Sequence, residues 1–348
     1  MFVGLVSYTA GTLSHSLLFL CSTSSFRRKF SVKCSSKDMG VETNLLAKAK
    51  KPADFRLCNV SSYTTEILEI QADAPSLHVL FVPGNPGVIL FYKDFVEYLF
   101  ELLGGIASVT AIGHVSQTKK NWEHGRLFSL QEQIDHKVDF IREELKNTEI
   151  PIVLIGHSIG SHISIEMFKR SPDKVKYCIG LYPFLTLNRH SEKQIVIGKI
   201  AESRILSAAL SYLIASLGLL PARALRFIVR KFLGQSWSAN AVDAVCSHLS
   251  QYHTMRNVLY MAMTEFSEFS EASDWTFIRE RKAQFAFLFG DDDHWAPLQV
   301  LEEISEQVPG IVTAIERENH THSFCCTEAG SLWVAQHVAN LIKNQTYK

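Results

Sequence analysis

The run Ile152-Val-Leu-Ile-Gly-His-Ser-Ile-Gly-Ser161 constrains this chain more than any other ten residues. Four apolar, mostly β-branched residues predict a buried strand, and a helix-competent stretch follows from Ile159 through Arg170. Between them, Gly156-His157-Ser158-Ile159-Gly160 fits the G-x-S-x-G pattern in the strand–turn–helix setting that gives it meaning. The glycines have a steric reason. A serine on so tight a turn, its hydroxyl pushed clear of the sheet, leaves no room for a Cβ two residues to either side. The helix that starts there offers the backbone N–H of Ile159 to a developing oxyanion.

Bulk properties allow such an element and exclude others. A chain of 348 residues holds one large α/β domain or two smaller ones, and 47% hydrophobic residues supply the core. Lys+Arg and Asp+Glu balance at 35 each, so no global field points to nucleic acid, and no nucleic-acid partner is expected. The seven cysteines (Cys21, Cys34, Cys58, Cys178, Cys246, Cys325, Cys326) are odd in number and scattered. They show neither zinc-ligand spacing nor a disulfide framework, which predicts a reducing compartment.

Residues 1–38 differ from the rest. They carry Arg27, Arg28, Lys29, Lys33 and Lys37, many Ser and Thr, and no acid before Asp38. That is the composition of an organellar transit peptide, expected to be disordered, with Phe30–Cys34 suiting a plastid processing site. The alternative makes Met39 the working start and the upstream stretch a non-native extension.

Beyond the leader the chain alternates. Strand-like runs fall at Thr64–Ile70, His78–Val82, Ser108–Ile112, Ile152–Ile155, Tyr177–Leu181, Gln284–Phe289 and Ile311–Ile315. Helix-like stretches lie between them at Leu90–Leu103, Leu130–Lys146, Ile159–Arg170, Leu298–Val308 and Glu328–Lys343. This predicts an α/β domain over residues 60–348, with a mostly parallel central sheet flanked by helices. The alternation breaks over about 188–276. That stretch is helix-rich and apolar, and it is expected to form a cap above the carboxyl ends of the strands.

A serine needs a base to become a nucleophile, and the base needs an orienting carboxylate. These partners are expected in the chain order Ser, Asp or Glu, His. After the strand-like run Gln284–Phe289 comes Gly290-Asp-Asp-Asp293-His-Trp-Ala-Pro297, and Asp293 alone keeps a Gly-x-x-Asp spacing. Asp291 and Asp292 are expected to be solvated loop acids. A metal site is rejected, because the cluster lacks the alternating ligands and closing Glu of a calcium loop. After Ile311–Ile315 come two histidines, His320 and His322. His322 is preferred as the base because a His-x-Phe run suits the place before a helix. The second oxyanion donor is expected on the Pro83-Gly84-Asn85-Pro86-Gly87 loop, where prolines and glycines fix the backbone. The backbone N–H groups of Asn85 and Ile159 are assigned to that role.

Together, Val82-Pro-Gly-Asn-Pro-Gly87, Gln133-Ile-Asp-His-Lys137, Leu154–Ser161, Gly290-x-x-Asp293-x-Trp295-x-Pro297 and His322-x-Phe324 resemble the lipid droplet-associated hydrolases, an α/β-hydrolase branch. The resemblance runs from about Val79 to the C-terminus. It implies Ser158 as nucleophile, Asp293 as acid and His322 as base, with no cofactor and no metal. It further implies ester hydrolysis of neutral lipids, sterol esters or triacylglycerols, at the lipid droplet or endoplasmic reticulum surface. A working transit peptide would instead send the protein to the chloroplast.

The insertion carries a possible lipid handle. Ile205–Ala222 runs eighteen residues without a charge, and Pro221 then starts a cationic amphipathic segment. There Arg223, Arg226 and Arg230 share one helical face, while Leu225, Ile228, Val229, Phe232 and Leu233 lie mainly on the other. Phe227 falls on the charged side. A hairpin lying in an interface fits this pattern, with Leu213, Leu219, Arg226, Arg230 and Phe232 as candidate lipid contacts. The competing reading packs both helices as a buried cap. Two other functions stay open: hydrolysis of small soluble esters or thioesters, and droplet organisation with weak hydrolysis.

Overall fold

The computed structural model describes residues 51–145, 149–188, 191–269 and 274–346. The leader-like segment 1–38 lies outside them. Eight strands form one sheet: β1 (Asp54–Val60), β2 (Tyr63–Ile70), β3 (Leu77–Val82), β4 (Ala107–Ile112), β5 (Ile152–His157), β6 (Val175–Leu181), β7 (Phe285–Gly290) and β8 (Val312–Glu316). Their order is β1-β2-β4-β3-β5-β6-β7-β8. The pairs β1/β2 and β2/β4 run antiparallel, and the rest of the sheet is parallel.

Strand β1 has no counterpart among the sequence-predicted strands, and it begins six residues before the expected start of the domain. Its burial alternates but its hydrophobicity does not: Cys58 and Val60 are buried on one face, while Phe55 and Leu57 stand in solvent on the other. The hairpin to β2 turns through Ser61 and Ser62, both at positive φ, rather than through the Asn-Gly or Asp-Gly that marks such turns.

Period-two packing divides the core between the two faces. Val79 and Phe81 of β3 point to one face, where Phe95 and Leu99 of α1 (Lys93–Leu103) and Val334 and Val338 of α11 (Glu328–Thr346) meet them. Leu80 and Val82 point to the other face. There they join Ile134 and Val138 of α2 (Leu130–Glu143), Ile163 and Met167 of α3 (Ile159–Arg170), and Ile304 of α10 (Leu298–Gln307). Helix α2 starts at a capping box in which Ser129 and Glu132 satisfy each other's backbone N–H.

Between β6 and β7 the described residues are helical: α4 (Glu192–Glu202), α5 (Arg204–Leu217), α6 (Ala222–Phe232), α7 (Ala239–Ala244), α8 (Tyr252–Glu268) and α9 (Thr276–Glu280). Helix α8 lies deepest and buries Met255, Val258, Leu259 and Met261. Helices α5 and α6 lie outermost, with Leu219 between them 86% exposed and Phe227 67% exposed. Among the described residues no single helix is long and apolar enough to cross a membrane.

One expectation about α6 is corrected. Leu225 and Val229 face inward and are buried, so the apolar stripe read from the sequence is a packing face. The exposed aromatic residues are Phe227, which the helical wheel placed on the charged side, and Phe232. Lys231 lies over both rings, at 6.0 and 5.8 Å.

Candidate active site

The turn from β5 into α3 holds Ser158 at φ 55° and ψ −124°, a conformation costing an L-residue about 1–3 kcal/mol. Its neighbours explain how the strain is sustained. A Cβ built on Gly156 would sit 2.1 Å from the Gly160 carbonyl oxygen, and one on Gly160 would sit 2.3 Å from the Val82 oxygen. Only glycine fits either position. Ser158 N–H donates to the Leu181 oxygen, and Ser161 Oγ donates back to the Gly156 oxygen at 2.9 Å. The turn is therefore pinned from both sides. Ser158 Oγ has no hydrogen-bond partner among the described residues.

Asp293 and His322 meet at 2.7 Å, Nδ1–H of the imidazole donating to Oδ2. The other carboxylate oxygen accepts the Trp295 N–H at 2.8 Å. Both oxygens of a nearly sealed carboxylate are thus engaged, and the ring is held in one orientation with Nε2 left over. His322 and Ser158 line the same narrow cavity, together with Gly84, Asn85, Tyr92 and His157. No Ser158–His322 hydrogen bond is formed, an arrangement common where the substrate is absent. His320 is placed elsewhere, with its ring 6.0 Å from Trp333 of α11. Asp291 and Asp292 are exposed loop acids.

The Pro83–Gly87 loop faces the elbow. A Cβ on Gly84 would lie 3.0 Å from Ser158 Cβ, so the loop runs directly over the serine. Neither the Asn85 nor the Ile159 backbone N–H bonds another described residue, so both donors remain available. His157 ties the parts together. Its Nε2–H donates to the His322 carbonyl oxygen at 2.9 Å, and its Nδ1 accepts from Tyr92 O–H at 2.7 Å. Tyr92 in turn accepts the Gly84 N–H at 3.1 Å. Burial holds His157 well below the usual histidine range, which keeps the neutral tautomer this chain of bonds requires.

A second tier supports the loop. Gln133 brackets the Val115 backbone, donating to its oxygen at 3.1 Å and accepting from its N–H at 2.9 Å. Lys137, fully buried and pushed well below the usual lysine range by that burial, donates to the Gly113 oxygen. The segment so fixed donates His114 N–H to the Gly87 oxygen, and its Gln117 accepts the Gly87 N–H at 2.6 Å. The Gln133–Lys137 block is thus scaffolding for the loop. Tyr92 and Gln117 have no pattern in the sequence that marks them for this work, whereas Gln133 lies in the Gln133–Lys137 motif.

The candidate lipid contacts Leu213, Leu219, Arg226, Arg230 and Phe232 are all exposed, 20 or more residues away in sequence from any of these groups. Arg226 is partly engaged, donating from Nε to Asp243 at 2.9 Å.

Solved structures of similar shape define the class. They include an epoxide hydrolase from Vigna radiata (TM-score 0.62, 16% identity, 84% of this chain and 99% of that one). A thermophilic esterase from Thermogutta terrifontis is another (TM-score 0.57, 14% identity, 84% and 99%). The chain has the α/β-hydrolase fold. Its sequence narrows this further, because the profile described as lipid-droplet associated hydrolase matches residues 75–325. The chain belongs to that family. Relatives bearing the name lipid droplet-associated hydrolase include one from Dictyostelium discoideum, 28% identical over 260 residues, spanning 70% of this chain and 81% of the relative. One from Homo sapiens is 27% identical over 292 residues, spanning 78% and 87%. Fold and family together make the chain a hydrolase.

Proposed function

We propose that the chain is a serine esterase that cleaves carboxylic esters of neutral lipids, sterol esters or triacylglycerols, at the lipid droplet or endoplasmic reticulum surface. The observation that carries the chemistry is the Asp293–His322 pair sharing a cavity with a serine on a strained elbow. Ser158 Oγ attacks the ester carbonyl carbon as its proton passes to His322 Nε2. The carbonyl oxygen takes the negative charge and is met by the N–H groups of Asn85 and Ile159, each worth about 3–4 kcal/mol. Collapse expels the alcohol, which takes the proton from His322. Water then attacks the acyl-serine, His322 accepts its proton, and release of the acid restores Ser158 O–H.

The lipid part of the reading rests on the cap's outer surface and on the family. Leu213, Leu219, Phe227 and Phe232 stand in solvent beside Arg226, Arg230 and Lys231. A mixed apolar and cationic face of this kind suits a phospholipid monolayer.

One observation favours a second reading, hydrolysis of small soluble esters. The cavity beside Ser158 is about 40 Å³, too narrow as it stands for a sterol ester. A fluorophosphonate probe tests the shared chemistry: the wild type should label and Ser158→Ala should not. Turnover of short esters against emulsified lipid esters then separates the two readings. Activity that rises sharply at the emulsion interface supports neutral lipids, while full activity on monomeric esters alone defeats that assignment.

A further inference from the structure

We propose that Glu265 is a positioning residue: from α8 of the cap it holds the Asn85 side chain, and through it keeps the Asn85 backbone N–H trained on the oxyanion site beside Ser158. The proposal rests on the serine-hydrolase reading above and gives the cap a part in the chemistry, beyond shielding it.

The geometry is specific. Asn85 carries two side-chain N–H groups, and both are directed at α8. One donates to the Val258 carbonyl oxygen at 2.9 Å, the other to Glu265 Oε1 at 3.0 Å. The amide oxygen faces the other way, toward Gln117 Nε2 at 3.5 Å. The side chain is held on both sides, so its backbone has little freedom to turn the N–H away. Such fixed donors are what make an oxyanion site effective, because nothing must reorganise when charge appears.

Glu265 itself is otherwise hard to account for. It is buried, and no cation pairs with it among the described residues. A buried carboxyl without a cation is expensive to the fold, and leucine would fill the same space without that penalty. The carboxyl's bonded partner is Asn85. Burial pushes Glu265 up to about 8, so near neutral pH it is a neutral acid whose oxygen accepts from the amide. Glutamine preserves that acceptor and leucine removes it.

The test is steady-state kinetics on a short-chain p-nitrophenyl ester, with a trifluoromethyl ketone as inhibitor, for the full chain and its Ser158→Ala, Glu265→Leu, Glu265→Gln and Asn85→Ala variants. Misplacing a donor by a fraction of its bond length should lower kcat about 10²-fold in Glu265→Leu. KM should stay within about twofold, since ground-state binding does not use the donor. The ketone forms an oxyanion on the serine, so its Ki should rise by the same factor as kcat falls. Glu265→Gln should recover most of the lost kcat. Asn85→Ala keeps its backbone N–H yet should lose as much as Glu265→Leu, and the double variant should be no worse than either single one. Should Glu265→Leu fail to fold, Asn85→Ala and Glu265→Gln carry the test alone. Full kcat in Asn85→Ala, a defect confined to KM, or an equal loss in Glu265→Gln overturns the positioning role while leaving the nucleophile in place. Undiminished turnover by Ser158→Ala sinks the underlying reading and this proposal with it.

Discussion

The elbow around Ser158 and the outer helices of the cap use their residues in opposite ways. At the elbow the supporting residues are tightly engaged: two glycines abut carbonyl oxygens, and Ser161, Tyr92 and His157 are each committed to a neighbour. On α5 and α6, large apolar side chains stand in solvent with nothing among the described residues to cover them. The first region is held fixed by these contacts, as the proposed chemistry requires of its donors and its imidazole. The second leaves unburied the kind of surface that folding normally hides. The contrast teaches that stability and surface attachment are separable here, so substitutions in one region should leave the other's property intact.

The largest effect belongs to the serine. Ser158→Ala should lower ester turnover by roughly 10⁴-fold or more, leaving the residual catalysis that binding and the oxyanion donors supply. Attachment to a triolein emulsion should not change. If attachment falls along with activity, the two regions are not independent.

Gly160→Ala strikes the rigid region sterically. Its Cβ would press on backbone oxygens of Val82 and Pro83 at 2.3 and 2.5 Å, and backbone cannot swing aside as a flexible side chain can. A loss of about 5 kcal/mol is expected, enough to unfold a marginally stable domain. Circular dichroism melts would show it, and a melting temperature near wild type would mean that the elbow is looser than its contacts imply.

Glu265 ties the deep cap helix α8 to the loop over the elbow and makes stability depend on pH. Its carboxyl is raised from 4.5 to about 8 by burial, so the fold accommodates the protonated form. Its contribution is therefore fully present below about pH 4.5 and lost as pH rises through about 8, a change of about 5 kcal/mol. Glu265→Gln removes the titration. Its melting temperature should fall less than that of the wild type between pH 5 and pH 8.5. Parallel curves for the two proteins would refute this assignment.

How far the sequence reveals these regions depends on the range of the interactions. Ser158, Asp293 and His322 were legible because each sits on a short strand-to-loop signature that can be read within ten residues. His322 was separable from His320 on local grounds, and the structure turns only the former toward the elbow. Glu265 was not legible. Its contact with Asn85 bridges 180 residues, and a lone glutamate in an amphipathic helix has no spacing to mark it. Strand β1 was missed because its apolar residues lie on both faces and its turn is Ser-Ser. Which face of α6 is exposed was not legible for a related reason: the helical wheel places Phe227 with the arginines, but does not show which face the rest of the molecule covers.

The outer cap should respond to the removal of apolar surface. Leu219→Ser with Phe232→Ser should lower attachment to a phospholipid-coated triolein emulsion by about 10- to 100-fold, the transfer energy of two large side chains partly withdrawn from lipid. Hydrolysis of a short soluble ester should hold at the wild-type rate. Unchanged attachment would remove these two side chains from the lipid face.

The smallest effect separates charge from apolar contact on that same face. Arg226 donates to Asp243 at 2.9 Å with both side chains about half exposed, 52% and 45%. A pair that open to water contributes under about 1 kcal/mol to stability, so Asp243→Ala should barely move the melting temperature. It should nevertheless strengthen attachment to vesicles containing anionic lipid, because it deletes one negative charge beside Arg226 and Arg230 and frees the guanidinium. One added positive charge near such a surface is worth about 1 kcal/mol, which is about a fivefold gain at low salt. The gain should shrink as salt rises, since screening shortens the reach of exposed charges. The Leu219 and Phe232 effect should persist in salt, because apolar burial does not depend on screening. A gain from Asp243→Ala on neutral vesicles would show that Asp243 acts by packing and that the cationic face plays no part in attachment.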